Sequence, residues 1–310
     1  MSSTHKTVLL TGASSGIGYE LAKLFARDRY TLILVARFPE ALERVAHELR
    51  EKYHTEVHTF ASDLSDPSTP DKIDQYLQQH SVHVNILVNN AGFGNLGAFT
   101  TTDIKTHLEI IQVNINALIH LTHLLLPQMQ ERGEGKILNV ASTAGFQPGP
   151  LMAVYYATKA FVLSFSEALR NELKGTGITV TTLCPGPTKT NFGRRAKVGH
   201  IPIFKTGISM DAKSVAEIGY NGMQRGKGIV IPGLPNKAGV FFVRLLPRNV
   251  IHYILKKVHS SSSQPFITLE YPEHSAGNNR HEYSCNPDSP FHFRQRDNAE
   301  IHPEKSRDKT

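Results

Sequence analysis

Cysteine is scarce: Cys184 and Cys285 are the only two in 310 residues, too few and too far apart for a disulfide framework or a thiolate ligand set. Sixteen histidines are present, mostly scattered; His54 and His58 stand at His-x3-His spacing but have no cysteine pair to complete a zinc site, so no metal is expected. No internal repeat recurs along the chain. Residues Met1 to Lys6 lack the charged-then-apolar pattern of a secretory leader, which makes a cytoplasmic chain the expectation. The chain is basic, with net charge +7 and a pI near 9.3. It carries no nucleic-acid motif and no aromatic–basic interleaving, so nucleic acid is not an expected partner.

What is present is a regular alternation. Short apolar runs at residues 7–11, 31–36, 56–60, 84–88, 136–141, 178–183 and 228–232 read as strands, with helical patterns between them. Forty per cent hydrophobic residues suffice for a packed core. The alternation predicts an α/β fold: a single Rossmann-like, doubly wound parallel sheet of about seven strands with helices on both faces. Two of the intervening helices are expected around Ile115 to Met129 and from Ala153 to Leu173.

The first strand runs into Thr11-Gly12-Ala13-Ser14-Ser15-Gly16-Ile17-Gly18, followed by the helical pattern Leu21, Leu24, Phe25. Strand, glycine turn and helix together make a phosphate-binding loop: glycine lets the backbone approach a pyrophosphate, and the helix N-terminus supplies N–H donors and positive potential. The spacing is G-x3-G-x-G. The second strand ends at Arg37, about 20 residues past the glycines, where an acid would accept bonds from a ribose 2′-hydroxyl. An arginine offers its fork of donors to a 2′-phosphate instead. NADP(H) is therefore favoured over NAD(H), the alternative being Arg37 as a solvated loop residue. Glu40 and Glu43 fit the first turn of the next helix.

Tyr155 and Lys159 stand four residues apart in Tyr155-Tyr156-Ala157-Thr158-Lys159, on one face of a helix. A phenol near pKa 10 exchanges protons poorly at neutral pH. A cation beside it is expected to pull that value down toward the range where acid–base catalysis works best. Tyr156 lies three residues before the lysine, so Tyr155 is the better-placed ring.

These motifs, in this order, resemble those of the short-chain dehydrogenase/reductase (SDR) family over roughly residues 5–235. The family's glycine motif matches Thr11 to Gly18, and its adenine-contacting acid matches Asp63 in Ala61-Ser62-Asp63-Leu64. Its structural Asn-Asn-Ala-Gly matches Asn89-Asn90-Ala91-Gly92. The active-site Asn, Ser, Tyr and Lys match Asn114, Ser142, Tyr155 and Lys159. Pro185-Gly186-Pro187-Thr188-Lys189-Thr190 matches the segment before the family's substrate loop. The resemblance implies hydride transfer between a nicotinamide and a carbonyl or alcohol carbon. Tyr155 would be the acid/base, Ser142 the hydrogen-bond donor to the substrate oxygen, and Lys159 the partner of both Tyr155 and the nicotinamide ribose. Asn114 would hold a proton-relaying water. Cofactor contacts would come from Gly12, Ser14, Ser15, Gly16, Ile17 and Gly18 in the turn, from Arg37, Asp63 and Leu64, and from Asn90, Ala91 and Gly92. Tyr155, Lys159, Pro185, Gly186, Thr188 and Thr190 would complete the set. Family members commonly pair through the two long helices, so a homo-oligomer is implied. One departure stands out: many NADP-preferring relatives carry a basic residue just before the second glycine, where this chain has Ser15. A non-catalytic dinucleotide sensor on the same fold is the competing class, although such proteins often lose the Tyr or the Lys.

The rest of the chain is less specific. A catalytic domain is expected over 1–259. After Thr190, residues 191–210 hold Phe192, Ile201, Ile203, Phe204 and Ile208 beside Arg194, Arg195 and Lys197, which suits a hydrophobic carbonyl or alcohol substrate such as a 3-oxoacyl chain. Residues 201–259 hold nine Lys or Arg against Asp211 and Glu217, an excess equal to the whole chain's +7. Within a C-terminal extension at 236–259, residues 238–258 mix aliphatic and aromatic side chains with Arg244, Arg248, Lys256 and Lys257. Pro247 and the charges exclude a spanning helix there. Either a basic amphipathic element on an anionic membrane or an extension packed over the site is consistent with that pattern. Residues 260–310 open on four serines and hold few aliphatic side chains, so they are expected to be a disordered tail.

Overall fold

Along the first strand, β1 (Thr7–Thr11), successive side chains point to opposite faces, and both faces are apolar. A strand patterned that way has to be covered on two sides. The computed structural model describes residues 6–196, 209–247, 249–251, 253 and 255, and shows how each side is covered. Val8 and Leu10 pack with Leu21 and Phe25 of α1 (Gly16–Arg27), Leu42 and Leu49 of α2 (Pro39–Tyr53), and Tyr220 and Met223 of α8 (Ala212–Gln224). Leu9 packs on the other face, with Ile73 and Leu77 of α3 (Thr69–Gln79), Leu121 and Leu125 of α5 (Ala117–Arg132), and Leu169 of α6 (Ala153–Glu172). Each fully buried side chain of this kind contributes about 1.5–3 kcal/mol.

Seven strands form one parallel sheet, in the order β3 (Val57–Ala61), β2 (Thr31–Ala36), β1, β4 (Val84–Asn89), β5 (Gly135–Val140), β6 (Ile178–Leu183) and β9 (Ile229–Val230). The order reverses between β1 and β4. In open α/β sheets the crevice beyond the strand ends at such a reversal is where ligands bind. A second, two-stranded piece pairs β7 (Thr188–Lys189) with β8 (Met210–Asp211), and the one-turn α7 (Phe192–Arg195) follows β7.

The predicted fold and strand positions are found, with two differences. The last strand, expected over 228–232, pairs through Ile229 and Val230 only. Pro232 has no N–H to donate, and Gly233, at φ +84, turns the chain into α9 (Leu234–Leu245). The helix expected around Ile115 to Met129 is longer. It begins as α4 (Ile104–Ile111), passes through a π turn at Gln112–Asn116 and continues as α5. By length and composition, Ile104–Arg132 would be apolar enough to cross a membrane, yet Leu118, Leu121, Leu125 and Met129 are buried inside the fold.

Lys197, Ile201, Ile203, Phe204, Ile208, Arg248, Ile254, Lys256, Lys257 and the expected tail at 260–310 lie outside the described residues, as do the side chains of Arg194, Arg195 and Arg244.

Candidate active site

The crevice at the reversal is a single cavity of about 300 Å³. Its nucleotide end is built from backbone. Gly12 sits at φ +69, and a Cβ there would stand 2.7 Å from Asn90 Nδ2. Asn90 Nδ2 donates to the Thr11 and Gly12 carbonyls at 2.9 and 3.2 Å. Thr11 Oγ1 in turn accepts from the Asn90 and Ala91 N–H groups at 3.1 and 3.0 Å. The glycine turn after β1 is thus latched to the residues just past β4 by the short side chains of Thr11 and Asn90, leaving the main chain exposed to the cavity. No side chain caps α1, whose first-turn residues Gly16 and Ile17 line the cavity with Ser14 and Ser15. Unclaimed N–H groups at a helix N-terminus attract an anion.

Arg37 follows β2 and also lines the cavity. Its guanidinium lies 3.7 Å from the Asp63 carboxylate and 5.4 Å from the centre of the Phe38 ring. Asp63 accepts from the Ser65 N–H at 2.9 Å. Both charged side chains are about 40% exposed, so the pair holds the arginine weakly and leaves donors available. Leu64, Asn90, Ala91, Gly92, Pro185, Gly186, Thr188 and Thr190 line the same cavity.

Its other end is built from side chains. Tyr155 and Lys159 project from α6, and both are buried. The Ser142 hydroxyl, just past β5, hydrogen-bonds the Tyr155 phenol. It also donates to the Pro185 carbonyl at 3.2 Å and accepts from Ala144 N–H at 3.1 Å, which fix its position. Lys159 Nζ donates to the Val140 carbonyl at 2.9 Å and lies 5.9 Å from the centre of the Tyr155 ring. Gly94 passes so close to that ring that a Cβ would stand 2.8 Å from Tyr155 Cδ2. Tyr156 also lines the cavity, edge-on to Tyr155 at 6.0 Å.

The titration expected of Tyr155 is corrected here. Burial pushes its phenol up to about 12, against the smaller lowering by the Ser142 hydrogen bond. The ammonium of Lys159 sits over the ring face and is bound to a carbonyl, so desolvation decides the direction. Lys159 itself is lowered to about 8, because burial disfavours its charge more than the nearby Cys184 favours it.

Two of the expected residues do not reach the cavity. Gly18 lies beneath the turn, where a Cβ would strike the Gly12 carbonyl. Asn114 is buried in the π turn. Its Nδ2 donates to the Phe93 carbonyl and to Thr158 Oγ1, both at 3.0 Å, and its Oδ1 accepts from Phe93 N–H at 3.0 Å. With both amide hydrogens used, the side chain braces the Gly92–Gly94 strand end against α6. Phe192, from the expected substrate loop, lines the cavity, and so do Phe93, Val113, Gln147, Met152 and Leu255, which were not singled out for it. No local spacing marks the latter residues.

These features fit a dinucleotide. The turn leaves no side chain between backbone donors and a pyrophosphate, and a buried phenol and ammonium stand at the far end of the same crevice. That combination of fold and site defines an oxidoreductase built on a nicotinamide dinucleotide. The sequence model described as short chain dehydrogenase matches residues 6–198, and the chain belongs to that family. It is 35% identical over 183 residues to the ketoacyl reductase HetN of Nostoc sp., covering 59% of this chain and 63% of that one. It is 36% identical over 191 residues to very-long-chain 3-oxoacyl-CoA reductase-A of Danio rerio, covering 58% and 57%. The chain therefore spans about three fifths of the length of these two curated relatives. Among solved structures, a short-chain dehydrogenase from Sphingobium yanoikuyae in complex with NADPH is similar at a TM-score of 0.68 and 33% identity, over 74% of this chain and 88% of that one.

Proposed function

We propose that this chain is an NADP(H)-dependent reductase of a hydrophobic carbonyl compound, with 3-oxoacyl thioesters as the favoured class. The observation that carries the reading is the convergence of Ser142, Tyr155 and Lys159 on one wall of the dinucleotide crevice. When bound, the nicotinamide supplies a hydride to the carbonyl carbon. The residues manage the oxygen. As its charge grows, the Ser142 hydroxyl turns its one hydrogen from the Pro185 carbonyl to that oxygen, and Tyr155, neutral across the physiological range, gives up its proton to complete the alcohol. Lys159 places positive charge beside the phenolate left behind, and solvent returns the proton to Tyr155. Ketone, hydride and one proton thus give a secondary alcohol.

Support for NADP(H) comes from Arg37 at the end of β2 and from the NADPH complex of the Sphingobium protein. Support for the substrate class comes from the apolar wall of Phe93, Met152, Tyr156 and Phe192, and from the ketoacyl and 3-oxoacyl-CoA reductases among the relatives. A cytoplasmic location belongs to the same reading. So does a homo-oligomer, for which the support is Phe161 on α6, exposed and stacked on Phe165 at 5.8 Å. The test is NADPH consumption over a panel of 3-oxoacyl thioesters, steroids and bulky ketones. Turnover of 3-oxoacyl thioesters above the other classes is expected; no NADPH oxidation with any member would refute the reductase reading.

A further inference from the structure

Helix α9 and the residues after it are apolar on two sides. One stripe faces inward: Val240 and Ile251 are buried, and Leu255 lines the crevice. The other faces solvent. Phe241 is 60% exposed, Phe242 57%, Leu245 65% and Tyr253 70%, with Leu246 and Val250 less so. Phe241 and Phe242 meet edge to face at 5.8 Å, so the two rings form one surface. A helix apolar all round is normally covered all round. Among the described residues nothing covers this outer stripe. The charge of the element is also one-sided: from Leu234 to His259 the sequence holds Lys237, Arg244, Arg248, Lys256 and Lys257 and no acid.

We propose that the outer stripe of α9 docks on the surface of a bilayer containing anionic lipid, with Phe241, Phe242 and Leu245 entering the headgroup–acyl boundary and the acid-free, basic composition of the segment favouring a negatively charged surface. Apolar anchors combined with positive charge of one sign are what such a surface selects. A second copy of the chain fits less well, because two copies of this acid-free segment would bring only like charges together. The proposal stands on this surface alone and does not depend on the reductase reading.

The test is co-sedimentation of the full chain with vesicles of phosphatidylcholine, alone or with about one third phosphatidylglycerol, in low and high salt. Wild-type protein is expected to pellet with the anionic vesicles at low salt, and to be released by high salt or by neutral lipid. The double variant Phe241→Ser/Phe242→Ser is expected to lose about tenfold or more in vesicle affinity while its melting temperature stays close to wild type. Should that variant fail to fold, Lys256→Gln/Lys257→Gln serves instead, with about a tenfold loss expected at low salt. Wild-type protein left in the supernatant would overturn the proposal. So would unchanged binding in a folded variant, or a concentration-dependent dimer that the serine variant abolishes in the absence of vesicle binding.

Discussion

The two ends of the crevice are made of different material. At the nucleotide end the main chain lines the crevice, and side chains such as Asn90 and Thr11 hold it in place. At the reaction end the main chain retreats: Gly94 lets the Tyr155 ring through, and buried side chains form the wall. The first end should therefore be sensitive to added volume and less so to side-chain identity. The second should be sensitive to the loss of a single oxygen or nitrogen.

Each half of that contrast can be broken separately. The largest expected effect is on the reaction side. Tyr155→Phe removes one hydroxyl and should lower kcat by roughly 10²–10⁴-fold while leaving NADPH affinity near wild type by fluorescence titration. Retained turnover would show that another group handles the proton. Volume is the weak point opposite. In Gly12→Val the left-handed backbone costs about 1–2 kcal/mol even before the new side chain meets Asn90, so both melting temperature and NADPH affinity should fall, the latter at least tenfold. Normal affinity in that variant would mean the turn does not hold the pyrophosphate. Arg37 is the exception on the nucleotide side, a side chain with its own chemistry. Arg37→Glu exchanges a charge-assisted bond, about 1.5–3 kcal/mol, for repulsion, so the NADPH/NADH ratio of kcat/KM should drop by roughly 10–100-fold. An unchanged ratio would remove the argument for NADP(H).

The smallest effect is on the pH profile. Burial depresses Lys159 to about 8, so its cation is present in the free protein below that pH and is lost above it. Tyr155, raised to about 12, stays protonated throughout this range. For carbonyl reduction, kcat/KM should be level below about pH 8 and decline above it by about tenfold per unit. A limb that begins only near pH 10 would mean that the ammonium is better solvated than its surroundings suggest.

The same contrast explains what could be read from the chain. Backbone sites leave compact signatures, because a turn that must approach a phosphate needs glycine at fixed offsets; Gly12 and Gly16 were legible for that reason. So was the sheet, whose strands are apolar on both faces. That Tyr155 and Lys159 share one helix face was legible because one helical turn spans about four residues. The wall formed by Phe93, Met152 and Gln147 was not, since Phe93 comes from the loop after β4 and the other two from the loop before α6, and they share a surface only after folding. Nor was the brace made by Asn114, whose partners Phe93 and Thr158 lie 21 and 44 residues away. The direction of the Tyr155 shift was missed for a related reason. Spacing reports that a cation is near, whereas desolvation depends on everything else around the ring.

One margin of the sheet, at β9, is unusually short. It closes on a strand only two residues long, stopped by Pro232 and Gly233. An incoming segment would find almost no ladder to extend, so runaway sheet growth is blunted on that side. Whatever assembles with this protein along that border has to be recognised by its side chains.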